Sequence, residues 1–192
     1  MNLGPKSEHP NSESIYGMAI FPILFGLFAS VSPTTSAIGF WLLGLYIFLC
    51  SIIALFGKKK ELHYYVPPRV IYMIIQIDVA AICIIVLYWR SVSRNLFLLL
   101  SLTFLMVIVA YIGSRFSKII NQELRAPKTG IGKGIYAFGS VGAGIAGISG
   151  YVIGQGSPSA VIISILYVFM LAIVLMFHAQ WLFIKEPYWR PE

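Results

Sequence analysis

Charge is what this sequence has least of. Only 11% of its 192 residues are charged, against about 25% in a soluble domain of similar size. Seven are acidic, and of these Asp78 alone lies inside a long apolar run. That scarcity excludes an ordinary water-soluble fold and leaves little material for acid–base catalysis. Histidine is also scarce, with three in the chain, and only His178 falls within an apolar run. A haem held between helices usually takes two axial side chains, and no Cys/His/carboxylate cluster has metal-ligand spacing. No G-x-S-x-G or H-E-x-x-H appears. No catalytic residue, metal or cofactor is therefore expected. The two cysteines, Cys50 and Cys83, sit at depths that differ by roughly 10 Å along their helices. That is too far for a disulfide, so both read as packing residues.

The net charge is +7. Nucleic acid is not the expected partner, because the basic residues flank apolar runs, where they set topology and touch anionic lipid. The first 14 residues are polar, with Pro5 and Pro10, and the apolar run after them has no small-residue cleavage site. A cleavable signal peptide is thus not expected.

What the chain has in abundance is apolar length: 58% of its residues are hydrophobic. The expected architecture is an all-α polytopic membrane protein, with a polar lead (1–14), one transmembrane domain (15–184) and a short tail (185–192). Six spans are expected, at 15–31, 37–56, 70–89, 96–113, 135–154 and 159–184. Pro22 should kink the first, and the last is long enough to require tilt or protrusion. Residues 115–125 read as an extension of the fourth helix into water, and Gly130, Gly132 and Gly134 as a loosening of the chain before the fifth. Trp181, Tyr188 and Trp189 suit a headgroup-level girdle. With six spans, all of the 14 Lys and Arg residues except Arg90 and Arg94 fall on the side of the termini. The positive-inside rule then places both termini in the cytoplasm, in a cytoplasmic (plasma) membrane.

The spans also read as three helical hairpins with short external turns. The first and third turns share a word, Ser32-Pro33-Thr-Thr-Ser-Ala37 beside Ser157-Pro158-Ser-Ala160. Residues 17–57, with Gly26, Pro33, Trp41, Gly44, Tyr46 and Gly57 in an apolar frame, resemble the hairpin of HdeD-type small bacterial membrane proteins. That resemblance implies six spans in three hairpins and a role near membrane stress or acid tolerance. It carries no catalytic residue.

Two features stand out within the spans. The first is a face of small residues. Gly139, Gly142, Ala143, Ala146, Gly147, Gly150 and Gly154 share an arc of roughly 140° at 100° per residue. Val141, Ile145, Ile148 and Val152 fall opposite. Small residues let helix backbones approach closely in lipid, so this reads as the helix around which the others pack. Gly142-Ala-Gly144-Ile-Ala-Gly147 matches G-x-G-x-x-G by letter, but lacks the preceding strand and the later acidic residue that dinucleotide binding needs.

The second feature is polar. Asp78 is about 12 Å into the membrane from the cytoplasmic side and His178 about 9 Å from the same side. Depth therefore permits a contact if the third and sixth spans touch. Gln76 and Gln180 complete the candidate polar site, although each lies two residues from its neighbour, a spacing that does not share a helix face. An intramembrane carboxylate is costly, so it should face the bundle, take a partner or hold a proton. Structural glue between helices is the plainer reading, and a proton-sensitive site the sharper one. Lys58, Lys59, Lys60, Arg115 and Lys118 form a basic belt for anionic lipid or an acidic partner. The favoured expectation is a non-enzymatic scaffold or accessory subunit of a larger membrane assembly, docking other membrane subunits or a second copy by its glycine face. The alternative is a small proton-linked transporter or channel using Asp78 and His178.

Overall fold

The computed structural model describes residues 12–92, 94–125, 130–154 and 157–186, with the side chains of 12–14, 125, 131, 132, 135–141, 143 and 153 outside the description. Among the described residues the regular elements are helices: α1 (Ser12–Gly17), α2 (Ile20–Val31), α3 (Ala37–Lys59), a 3₁₀ turn (Leu62–Tyr64), α4 (Val66–Val92), α5 (Leu96–Arg115), α6 (Ser117–Arg125), α7 (Gly130–Ile153), α8 (Pro158–Ala179) and α9 (Leu182–Lys185). Four runs are long and apolar enough to cross a membrane: α3, α4, α5 and the α8–α9 run Pro158–Lys185.

Local chemistry explains the boundaries. Ser36 caps α3 by accepting from the Gly39 N–H at 3.1 Å, and Asn95 caps α5 by accepting from the Phe97 N–H at 2.9 Å. Such caps satisfy amides that have no partner within the helix. Pro67 and Pro68 lie in the first turn of α4, where an N–H would be unpaired anyway. Hence α4 starts at Val66, earlier than residue 70, where apolarity alone begins the span.

The first apolar run is broken rather than kinked. Pro22 has no N–H for the carbonyl four residues back, that of Met18. The helix stops at Gly17 and restarts at Ile20, and the Met18 carbonyl accepts from the Phe21 N–H at 3.3 Å instead. Pro22 thereby sits in the first turn of α2. At the other connector, the chain breaks at Phe116, the C-cap of α5. Residues 117–125 do not run straight on into water. Ser117, Ile120, Asn121 and Glu123 of α6 are buried, and Asn121 Nδ2 donates to the Ala179 carbonyl at 2.6 Å and to the Ser117 carbonyl at 2.8 Å. α6 thus closes the end of α8. The glycines at 130, 132 and 134 belong to α7; they do not form a loose segment before it.

The centre of the bundle is the pair α4 and α8. Asp78 meets His178 while Leu87 and Tyr88 cluster with Ile163, so the two helices run antiparallel. Ala80 and Ala81 of α4 and Val174 of α8 are completely buried, with Ile84, Ile85 and Leu171 almost so. α2 packs on α4, α5 and α7 pack on α8, and α3 packs on α2. The glycine-faced helix α7 is therefore a flank and not the hub. In lipid there is little solvent-driven gain from gathering apolar helices, so close packing decides which pair is central. Two adjacent alanines on α4 provide that closeness at the middle.

Candidate functional site

Asp78 and His178 come together where α4 and α8 cross. His178 Nε2 lies 3.6 Å from Asp78 Oδ2, with the two side chains 12% and 29% exposed respectively. The other imidazole nitrogen, Nδ1, is 3.0 Å from the Val174 carbonyl oxygen. A carbonyl can only accept, so Nδ1 carries a hydrogen. Nε2 is then the nitrogen that gains or loses a proton, and it is the one facing the carboxylate. At 3.6 Å the contact is within ion-pair distance and longer than a hydrogen bond; it can set an imidazolium beside a carboxylate, or a neutral imidazole beside a carboxylic acid. The second carboxyl oxygen, Asp78 Oδ1, is buried without a hydrogen-bond partner among the described residues.

A glycine absent from the expected set makes this geometry possible. A Cβ on Gly113 of α5 would lie 2.8 Å from both the His178 Cβ and the Leu175 carbonyl oxygen. α5 therefore rests directly on the backbone of α8 at the histidine. Gly113 sits at the end of an apolar run with no patterned neighbours, so the sequence offers no cue for it. Beside this contact a cavity of about 470 Å³ opens between α5 and the α8–α9 end. His178 forms part of its wall, with Ser114, Arg115, Trp181 and Lys185.

The two glutamines do not join the pair. Gln76 is buried and turned to α3, where it accepts from the Tyr46 hydroxyl and its Nε2 lies 3.8 Å from Cys50 Sγ. Gln180 is the C-cap of α8. Both cysteines are free, and Cys83 Sγ is 3.9 Å from the Pro22 carbonyl.

Part of the small-residue face, at Gly150 and Gly154, is spent within the chain. A Cβ on Gly150 would overlap the Ser164 hydroxyl and come within 2.9 Å of the Ala160 carbonyl oxygen, and one on Gly154 would overlap the Ala160 Cβ. Gly147 meets only side-chain tips of Ile165 and Val161, at 3.6 Å or more. Gly142 and Ala146 line an apolar cleft of about 700 Å³ between α5 and α7. Gly139 and Ala143 lie outside the residues whose side chains are described. Across the helix, Ile145, Ile148 and Val152 are exposed as expected.

No family model, curated protein or solved structure matches this chain. The site is therefore read from its own atoms.

Lys58, Lys59, Lys60, Arg115 and Lys118 are exposed, and all lie at the Asp78–His178 end of the bundle. Lys60 Nζ sits 5.8 Å over the Phe56 ring. At the opposite end, the Arg90 guanidinium donates to the Ala29 and Thr34 carbonyls, tying α4 to the turn between α2 and α3. Among the described residues no group of three His, Cys, Asp or Glu side chains converges as a metal site.

Proposed function

We propose that the chain is a six-span protein of the cytoplasmic membrane with both termini in the cytoplasm, and that it acts as a small proton-linked transporter or channel. Its proton site is the Asp78–His178 pair. The observation that carries this reading is the 3.6 Å approach of Nε2 to the carboxylate, with Nδ1 held on the Val174 carbonyl. A purely structural contact would make the same approach; the cavity at its side is what a structural contact does not need. Here His178 reaches a cavity that opens at the basic end of the molecule, which gives the proton a route to one face. The two further spans of this topology are α1–α2 and α7, and the distribution of basic residues supports the orientation. Acid tolerance, implied by the resemblance of residues 17–57 to HdeD-type proteins, belongs to the same reading.

A second reading, an accessory subunit, draws on α3. Its face is broadly uncovered, with Trp41, Leu55 and Phe48 well over half exposed. That face, rather than the glycine face, is where a partner helix would sit.

The proton site is tested by following the imidazole nitrogens of His178 by NMR across pH in nanodiscs. On this reading replacing Asp78 by Asn shifts the His178 titration, because one proton is shared by both groups. An unshifted titration in Asp78→Asn would leave the pair structural.

A further inference from the structure

The cavity beside His178 has its own chemistry, separate from the proton it borders. Along α5 it runs from Val107 and Ala110 through Tyr111 and Ser114 to Arg115, and His178, Trp181 and Lys185 border it on the other side. Val107 to Arg115 is eight residues, about 12 Å of helix. The wall therefore passes from apolar at depth to hydroxyl-bearing and cationic at the mouth. Arg115 and Lys185 belong to different helices, yet both border this one space. Neither has a carboxylate within ion-pair distance among the described residues. Two unpaired cations facing one cavity at a membrane boundary are a recognition site for an anion. An indole (Trp181) and a phenol (Tyr111) line the same cavity, as aromatics do near headgroup depth.

We infer that this cavity binds an anionic phospholipid, its phosphodiester between Arg115 and Lys185 and one acyl chain along Val107 and Ala110. A free phosphate ester shares the headgroup chemistry but has nothing to place against the apolar depth. The polarity gradient along α5 therefore favours the lipid. The volume, about 470 Å³, suits a headgroup and the first part of a chain. Ser114 can add a hydrogen bond to a phosphate oxygen, although its hydroxyl now donates back to the Ala110 and Tyr111 carbonyls at 3.0 Å. This inference does not depend on protons moving through Asp78.

The test is native mass spectrometry of the full chain released from nanodiscs made with equal phosphatidylglycerol and phosphatidylcholine. Wild type should retain phosphatidylglycerol in preference. The double variant Arg115→Gln with Lys185→Gln should hold it roughly twenty-five-fold more weakly, from about fivefold for each charge removed. Arg115→Lys with Lys185→Arg should keep it, which separates charge from any change in folding. Lys133→Gln, an exposed charge outside the cavity, should also keep it. Equal retention by wild type and the glutamine double variant would overturn the proposal. So would binding of soluble glycerol phosphate that depends on Arg115 and Lys185 and matches the lipid in strength, since the site would then be for a free ester.

Discussion

At the scale of single residues, the packing of the bundle depends on atoms that cannot be substituted without moving a helix. Gly150 shows this most simply. An added methyl there meets the Ser164 hydroxyl and the Ala160 backbone oxygen, and backbone cannot rotate away. Gly150→Ala should destabilise the folded protein by about 1–3 kcal/mol, the usual cost of overpacking. At Gly144, six residues earlier, an added Cβ has nothing within 4 Å. Gly144→Ala should be neutral or slightly stabilising, since alanine is the better helix former. Thermal unfolding of both variants in one detergent checks the contrast. Six residues apart, these glycines are alike in composition and opposite in consequence. Glycine spacing marked the face as close-packed, and for Gly150 and Gly154 it is. Spacing does not reveal that the partner is α8 of the same chain. Nor does it reveal Gly113, whose role comes only from the backbone of α8 passing beside it. Asp78 and His178 were both legible, because a lone acid and a lone histidine in apolar runs need an explanation. Their contact was legible only as a matching depth.

At the scale of elements, long helices follow directly from apolar length, and their caps and prolines set the ends. What periodicity could not show is which helix is central. α7 has the more obvious small-residue pattern, but Ala80 and Ala81 of α4 are the small residues at the middle. Two adjacent alanines make no pattern that stands out among apolar neighbours. The outermost element is α3, which packs on α2 and is linked to α4 by the Tyr46 hydroxyl on Gln76. Removing that hydroxyl leaves a buried amide without its donor, a loss of order 1–3 kcal/mol. Tyr46→Phe should therefore loosen α3 from α4. Cys50, buried in wild type and beside Gln76, provides the readout. Its alkylation by a membrane-permeant maleimide should be several-fold faster in Tyr46→Phe. An unchanged rate would mean that packing, not this hydrogen bond, holds α3 in place.

At the scale of the whole molecule, the polarity of the two ends joins the site to its setting. Among the described residues, Lys58, Lys59, Lys60, Arg115 and Lys118 gather at the end where Asp78 and His178 meet and where the cavity opens. The other end is fastened by Arg90 through carbonyls of the first turn. Its charge is used inside the molecule and is not presented to a ligand. The described part is thus one-sided: the Asp78–His178 contact and its cavity lie toward one end, and an apolar core of Ala81, Ile84, Ile85 and Leu171 lies beyond them. On the proposed reading, protons cross when the α4–α8 contact loosens, because its ionic attraction is present only while His178 carries the proton and Asp78 does not. The measurement that tests this most directly is proton entry into pyranine-loaded proteoliposomes under an imposed pH gradient. Wild type should exceed protein-free vesicles, Gly144→Ala should match wild type, and both Asp78→Asn and His178→Gln should fall to near the protein-free rate. Entry in Asp78→Asn equal to wild type would contradict the account, and so would a wild type no faster than empty vesicles.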